Sequence, residues 1–522
     1  MRWRLSENEM NRGAKTLFAL FSLLVLYACS FSPRYERPAI EIPNNWRVES
    51  NEREAACNIR WWQQLNDPVL DDLIAEALER NNDLKVATAR IAQYRAQLGV
   101  VSSQLYPQLY AQTSVSRMKS SRTMAGDQIF SNSNGGNTSY GDGYQGGGAG
   151  GNGAVIPDLS QLFPVFSNDD YAVLNAAYEL DLWGKIRSAT DASYADLLGQ
   201  EEARKSVMLS LISSVASSYL LLRQYDWQLE ISRQTARSRQ QSYELATVRF
   251  NEGLTSELEV FQSLADLEQA MIQIIEFETL ISITENLISV LIGSDPHTIN
   301  RGLPVEGWQL PPDIPVGLPV DLLEQRPDIA QAEQLLIAAN YRIGQARALY
   351  FPDITLTGSS GYASSQLHRL FTDPSITWQW MANLLQPIFT GWKITSGVDL
   401  AKAQKEEAVY RYIEIVLNAL REVNDSLIHH ENAKKVVKVE KKRVYDLQQY
   451  LHLATLQYDN GLVDYLNVLD AERRLFIAQL DLAREEAQVF ITLVNVYKAL
   501  GGGWVVDAEK LMTPDCDTMS KK

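Results

Sequence analysis

The sequence predicts a mixed α/β chain built as one design used twice, each half a pair of short strands followed by a helical hairpin of unusual length. Three observations predict it. The stretches LATVRFNEGLTSELEV (Leu245–Val260) and LATLQYDNGLVDYLNV (Leu453–Val468) share seven of sixteen residues and sit 208 positions apart. Eighteen prolines are spread over 522 residues, yet none falls between Pro164 and Pro296 or between Pro387 and Pro514. Four segments of about ten residues alternate apolar and polar side chains, the period of a strand with two unlike faces.

At the N-terminus, Arg12 and Lys15 precede an apolar run from Leu17 to Ala28 that is too short to span a bilayer as a mature helix. This is a secretion leader over residues 1–28, with Met10 the better start and Met1–Glu9 an upstream extension. It ends in Leu26-Tyr27-Ala28-Cys29, which resembles a bacterial lipobox, where the Cys takes a diacylglycerol and becomes the mature N-terminus. Ser30 after it leans towards the outer membrane. A covalent lipid on Cys29 is the one attached group expected, with no other cofactor. Cys57 and Cys516 remain; in an oxidising compartment they pair or stay as two thiols, and the sequence leaves both open.

Next comes a helical segment, Leu70–Pro107, and then strands. LYPQLYAQTSVSR sets Leu109, Ala111, Thr113 and Val115 on one face and Gln108, Gln112, Ser114 and Ser116 on the other. DYAVLNAAYELDLW sets Ala172, Leu174, Ala176, Tyr178, Leu180 and Leu182 against Asn175, Glu179 and Asp181. Between them lies NSNGGNTSYGDGYQGGGAGGNGA (Asn132–Ala154), too rich in Gly to pack a core and read as a surface loop. Strands of this pattern suit a membrane barrel with apolar residues outward, and equally a half-buried soluble sheet.

Proline breaks helix interiors, so each proline-free window reads as long helices interrupted only at its central Gly253 or Gly461. The expected helices are Lys185–Phe250 with Leu254–Ile292, and Lys393–Tyr458 with Leu462–Leu500. At 1.5 Å per residue the longer arm of each reaches about 100 Å, which calls for coiled-coil packing. Val409, Ile413, Val416, Leu420, Val423 and Leu427 recur at steps of four and three, as do Met208, Ile212, Val215 and Tyr219. A 3.5-residue period implies a left-handed supercoil. Between Met208 and Tyr219 lie Ser210, Ser213, Ser214, Ala216, Ser217 and Ser218, suited either to water inside a tube or to close helix packing.

The second half repeats the order. Leu322–Pro352 is helical, with Glu324–Tyr350 expected to stack end to end on the shorter arm of the hairpin and to pair with the longer one. FPDITLTGSSGYA and ITWQWMANLLQ alternate, the latter with Ile376, Trp378, Trp380, Ala382 and Leu384 in register. The organisation is therefore 29–320 for the first half, with a strand pair at about 107–183 and a hairpin at about 185–292. The second half is 321–504, with strands at about 352–390 and a hairpin at about 393–500. A tail, 505–522, follows.

Four strands cannot close a barrel, and an open edge in hydrocarbon leaves backbone groups unpaired at several kcal/mol each. If the strands span a membrane, copies of the chain must pool them; two copies leave an interior filled by side chains, whereas three leave room for a channel. Each strand pair crosses and returns, so both hairpins hang on the side that carries Cys29.

Against that background three stretches stand out: WWQQLNDPVLDDLIAEALERNNDL, RPDIAQAEQLLIAANYRIGQARALYFPDI and YDNGLVDYLNVLDAERRLF. They resemble the TolC/OprM-like outer-membrane channels of tripartite efflux pumps, and SPRYERPAIEIPNNW with the lipobox resembles their lipoprotein (NodT) branch. The resemblance runs from about Cys29 to Trp504. It implies a homotrimer in the bacterial outer membrane, a twelve-stranded transmembrane β-barrel continued by an α-helical coiled-coil tunnel in the periplasm. It implies as partners a periplasmic adaptor protein, an inner-membrane pump of the RND type and outer-membrane lipid. The chain is then a passive, gated conduit for small molecules.

In that reading Gly253 and Gly461 make the periplasmic tips of the two hairpins, since Gly tolerates the positive φ of a tight helix-to-helix turn. The resemblance carries the family's gating positions onto Tyr458, Asp464, Leu466, Asp470 and Arg473. A further acidic position of the family falls on Asn467, which departs from the pattern. Symmetry-related carboxylates would form a cation-attracting ring, held shut by Tyr or Arg. A plainer reading has Asp464 and Asp470 favouring the positive end of the returning helix. Glu252, Glu257 and Glu259 are expected to face an adaptor or solvent.

Other classes fare worse. A net charge of −16 without a basic block argues against nucleic acid. The five histidines show no HExxH spacing, no Cys/His cluster is present, and neither a Walker loop, GxGxxG nor GxSxG occurs, so no catalytic or metal site is expected. His429-His430 reads as a solvated pair. The remaining rivals are a conduit for type I protein secretion and a lipid-anchored coiled-coil scaffold without a pore.

Overall fold

The computed structural model describes residues 31–43, 45–47, 60–119, 166–302 and 319–502. Cys29, Cys57, Cys516 and the Gly-rich loop lie outside the described residues. The chain divides into two compact units, each drawing segments from both halves of the sequence: one holds Gly99–Thr190 and Gly344–Val398, the other Ser32–Leu98, Asp191–Ile343 and Asp399 onward.

The elements run α1 (Pro68–Arg80), α2 (Asn82–Ser102), β1 (Gln108–Lys119), β2 (Phe166–Glu179), α3 (Lys185–Asn251), α4 (Glu257–Leu291), α5 (Leu322–Gln325), α6 (Pro327–Ala348), β3 (Asp353–Ser364), β4 (Ile376–Leu385), α7 (Lys393–Asp459) and α8 (Tyr465–Ala499). The long arms α3 and α7 are each 67 residues. The returning arms α4 and α8 are 35 residues each, shorter than expected because the tip turns extend to Ser256 and Asp464.

The first unit is one antiparallel sheet in the order β1-β2-β3-β4. Its register sets Ala111, Leu174 and Ser360 side by side, and continues Ser360 to Trp378; two residues along run Leu109, Ala176, Gly358 and Trp380. All four apolar faces are thereby joined into one, and it is uncovered, with Trp378 70% and Trp380 74% exposed. The opposite face is polar and bonded to itself, Gln112 Nε2 donating to the Tyr171 hydroxyl at 3.0 Å and Asn175 Nδ2 to Gln112 Oε1 at 3.3 Å. Among the described residues nothing pairs the outer edges of β1 and β4. One expectation changes here. β2 stops at Glu179, so Asp181 is not on the polar face of a strand; it accepts from the main-chain N–H groups of Ile186 and Arg187 and caps α3.

In the second unit the long helices are linked in the order α4-α3-α8-α7 at the level of Gln228, Glu278 and Asp481, while nearer the tips α4 also meets α7 and α8. Arg233 of α3 meets Glu278 of α4 at 2.8 Å, Gln228 of α3 donates to the Leu480 carbonyl of α8 at 2.9 Å, and Arg443 of α7 pairs with Asp481 of α8 at 3.2 Å. The coiled-coil stripe of α3 is buried as its period demands: Met208, Ile212, Val215 and Tyr219 are fully enclosed. On α7 the upper end of the stripe is displaced. Tyr412 is buried there while Val409 and Ile413 are half-buried, because the neighbour at that level is the N-terminal strap: Tyr35 and Arg37 bond to Glu333 of α6 beside Tyr412. The serine-rich set splits between its two readings, Ser210 and Ser214 exposed, Ser213 and Ala216 buried. His430 is also a correction to the solvated pair. It occupies the buried stripe, Nδ1 3.1 Å from the Thr492 hydroxyl, and burial lowers its pKa to about 4, so the ring stays neutral.

Short helices dock on the ends of the returning arms, each broken by one polar residue. Asn81 separates α1 from α2, donating to the Leu291 carbonyl at the end of α4 and accepting from Leu84 N–H. Arg326 separates α5 from α6 and donates to the Ala499 carbonyl at the end of α8. The expected continuous helix Glu324–Tyr350 is therefore interrupted. Gly293, at φ +76°, lets α4 end against the main chain of Arg80, where a β-carbon would lie 2.5 Å from the carbonyl oxygen. Replacing Gly293 with Ala is expected to lower the thermal midpoint more than Gly253→Ala. Gly253 has open space around it, so only the roughly 1–2 kcal/mol of left-handed strain applies there, whereas at Gly293 displacement of Arg80 adds roughly 1–3 kcal/mol.

Candidate functional site

The two hairpin tips are built alike. At the first, Gly253 N–H donates to the Phe250 carbonyl (2.9 Å) and Leu254 N–H to Arg249 (2.8 Å); at the second, Gly461 donates to Tyr458 (2.9 Å) and Leu462 to Gln457 (2.9 Å). This crossed pair of bonds closes a helix C-terminus and requires a left-handed residue, met by Gly253 at φ +70° and Gly461 at φ +69°. The starts of the returning helices differ. Ser256 caps α4, its hydroxyl accepting from Leu258 N–H, whereas the Asp464 side chain makes no capping bond on α8.

Five positions on the second tip were singled out from sequence, and the structure draws two of them into contact with the first hairpin. Tyr458, in the last turn of α7, donates from its hydroxyl to Glu259 Oε1 at 2.9 Å and accepts from the Arg249 guanidinium. That guanidinium also lies 5.1 Å from the centre of the Tyr458 ring, and the Tyr465 ring packs against it with the two ring centres 5.1 Å apart. Burial, and then the carboxylate of Glu259, push the Tyr458 pKa up to about 12. Arg473 of α8 pairs with the buried Asp266 of α4 at 2.9 Å. The other three positions stay on their own element. Asp470 pairs with Arg474 one turn along α8 at 2.8 Å, and Asp464 and Leu466 are exposed.

Arg249, Glu259 and Asp266 were missed as partners. Glu259 is a correction: expected to face an adaptor or solvent, it turns to Tyr458, while Glu252 and Glu257 are exposed. Two further charged residues, Arg239 and Glu472, also lie in the seam between the hairpins. A signal for Arg239 was present, since Ser232, Arg239 and Ala246 recur at steps of seven on α3, and all three are buried. Chemically the tip is a set of breakable polar links between two hairpins, with exposed carboxylates at its end. No group of His, Cys, Asp and Glu able to hold a metal occurs among the described residues.

If Asp464 serves only the helix start, its replacement should resemble that of a cap. Ser256→Ala should cost about 1 kcal/mol in a thermal or denaturant titration. Asp464→Ala should cost only the roughly 0.3–1 kcal/mol of a charge near a helix N-terminus. Equal losses at the two positions would make Asp464 a cap in solution.

A sequence model described as outer membrane efflux protein matches residues 73–294 and, again, 318–502. The chain is 34% identical over 496 residues to the solvent efflux pump outer membrane protein SrpC of Pseudomonas putida, covering 93% of this chain and 98% of that one. It is 30% identical over 499 residues to the probable outer membrane lipoprotein SilC of Salmonella typhimurium, covering 94% and 99%. Its fold is similar to the crystal structure of the Campylobacter jejuni CmeC outer membrane channel, with a TM-score of 0.80 at 26% identity over 94% of this chain and 98% of that one.

Proposed function

This chain belongs to the outer membrane efflux protein family, and from that premise we propose how its geometry does the family's work. It is the outer-membrane channel component of an efflux system, a conduit through which cargo leaves the cell. One observation carries the reading: an uncovered apolar face runs across all four strands of a sheet with two unpaired edges. In water such a face is untenable; in hydrocarbon it is the outside of a barrel wall, provided every edge finds a partner. The scaffold alternative needs this face covered.

Three copies closing edge to edge give twelve strands, wide enough for an aqueous lumen lined by the polar face that carries Gln112, Tyr171 and Asn175. The helical layer supports the same closure. Its edge helix α4 presents Leu258, Phe261, Ile272, Ile275, Ile283, Leu287 and Val290 outward, and the opposite edge helix α7 presents Leu417, Ile428, Val439 and Tyr450. An edge of one copy meeting the opposite edge of the next is a head-to-tail contact, which closes into a ring. The double match of one family model supports the reading of the chain as two structural repeats.

The Cys29 lipobox and the similarity to a probable lipoprotein support a lipid anchor. The tips are the gate of the conduit, with a periplasmic adaptor and an inner-membrane pump of the RND type as partners, and small toxic molecules as cargo. The pump supplies the energy, and the duct only opens. In a closed tip Tyr458 and Arg473 hold the second hairpin to the first, while Asp464, Leu466 and Asp470, the last tied only to Arg474 of its own helix, line the constriction.

Two experiments test this. Trp378→Arg on the apolar face should cost roughly 2–4 kcal/mol in the bilayer and deplete heat-resistant trimers on gels, whereas Gln379→Arg on the polar face should leave them intact. The opposite ranking removes the barrel. In planar bilayers, Tyr458→Phe and Arg473→Ala should raise single-channel conductance above wild type; conductance unchanged by both removes the tip links from the gate.

A further inference from the structure

Three charged side chains in the seam between the hairpins occupy positions where a coiled coil calls for apolar ones. Arg239 of α3 is 3% exposed and Asp266 of α4 6% exposed, and Glu472 of α8 lies between the buried Leu469 and Phe476. Arg239 bridges the hairpins. One of its terminal nitrogens donates to the Asp266 carbonyl at 2.6 Å, and its guanidinium lies 5.1 Å from the centre of the Phe476 ring, one turn beyond Glu472. Arg473 reaches back from α8 to Asp266 Oδ1. The central pair is nevertheless unsaturated: Arg239 Nε and Glu472 Oε2 are buried without hydrogen-bond partners. The groups facing Glu472 are Arg239 from α3 and Asp266 from α4, with Tyr465 on its own helix.

A partly satisfied polar cluster is poor glue, because each unpaired buried atom is penalised in the docked arrangement and relieved when water reaches it. We infer that Arg239 and Glu472 are positioning residues that set how closely the second hairpin docks on the first, with Glu472 the member that responds to protons. This rests on the reading of the tips as a gate.

The direction follows from burial. Desolvation raises the Glu472 pKa, with Arg239 opposing and Asp266 adding to the rise. The docked seam therefore holds that proton more tightly than a parted seam in which the carboxyl meets water. Acidification favours docking. Raising the pH above the ordinary carboxylate range ionises a buried group and favours parting, by at most about tenfold per pH unit for each Glu472.

The test uses the full-length channel with Cys57→Ser and Cys516→Ser, and spin labels at Leu254→Cys and Leu462→Cys on the two exposed tips. Tip-to-tip distance is measured between about pH 5 and about pH 8, a window reaching from the ordinary carboxylate range upward, with conductance recorded in parallel. The distance should lengthen with pH in this parent and stay short and flat in Glu472→Gln. A pH response that survives in Glu472→Gln overturns the inference and moves the proton site elsewhere, to Asp464 or Asp470. Distances that follow Glu472 while conductance does not move uphold the docking pair and remove the gate reading instead. Should Glu472→Gln not assemble, a parent distance that is invariant with pH overturns the inference, and a midpoint that moves in Arg239→Lys supports it.

Discussion

Unpaired main-chain groups along the outer edges of β1 and β4 are the constraint on which this molecule turns. Each such group costs several kcal/mol in hydrocarbon, and a sheet of four strands cannot bend round to satisfy its own edges. The proposed threefold closure follows from that arithmetic, and so does the placement of residues. In the proposed barrel Trp378, Trp380 and Leu174 face outward, where lipid accepts them without penalty, and Gln112 and Asn175 lie on the opposite, wet face. The helical layer answers the same demand in a softer form. Its edge helices α4 and α7 leave apolar stripes uncovered, so the isolated chain is incomplete in both units.

Stability is distributed unevenly along the hairpins. Near the docked short helices, Met208, Ile212, Tyr219 and Ile288 sit in a dense apolar core, and the junctions at Asn81 and Arg326 satisfy the last carbonyls of the returning arms. Towards the tips the core thins to a small cluster of Ala454, Val468 and Ala471, and polar contacts take over. Segments of a protein that move are drawn from regions with few buried apolar contacts. A tip held by Tyr458, Arg473 and the unsaturated Arg239–Glu472 pair is suited to opening while the rest of the helical unit stays folded.

Much of this was legible from one-dimensional pattern. The long arms followed from windows without proline, the tips from Gly253 and Gly461, and the two faces of each strand from strict alternation. Other features were not legible. Asp181 reads as the next polar residue of β2 yet caps α3; Glu259 reads as a solvated acid yet binds Tyr458; His430 reads as half of an exposed pair yet packs against Thr492. In each case the local pattern permits both placements, and a neighbour distant in sequence selects one.

The sequence by itself determined the periods and their interruptions: which segments are helix or strand, where each turns, and which face of each is apolar. These depend on residues within a turn or two of one another, where spacing and backbone freedom decide. Only the tertiary structure decided which charges meet across the seam between hairpins. Arg249 and Tyr458 stand 209 residues apart, and Asp266 and Arg473 stand 207 apart. Whether such groups touch depends on the rotation and axial offset of packed helices, and a repeat of 3.5 residues specifies the supercoil without specifying its register.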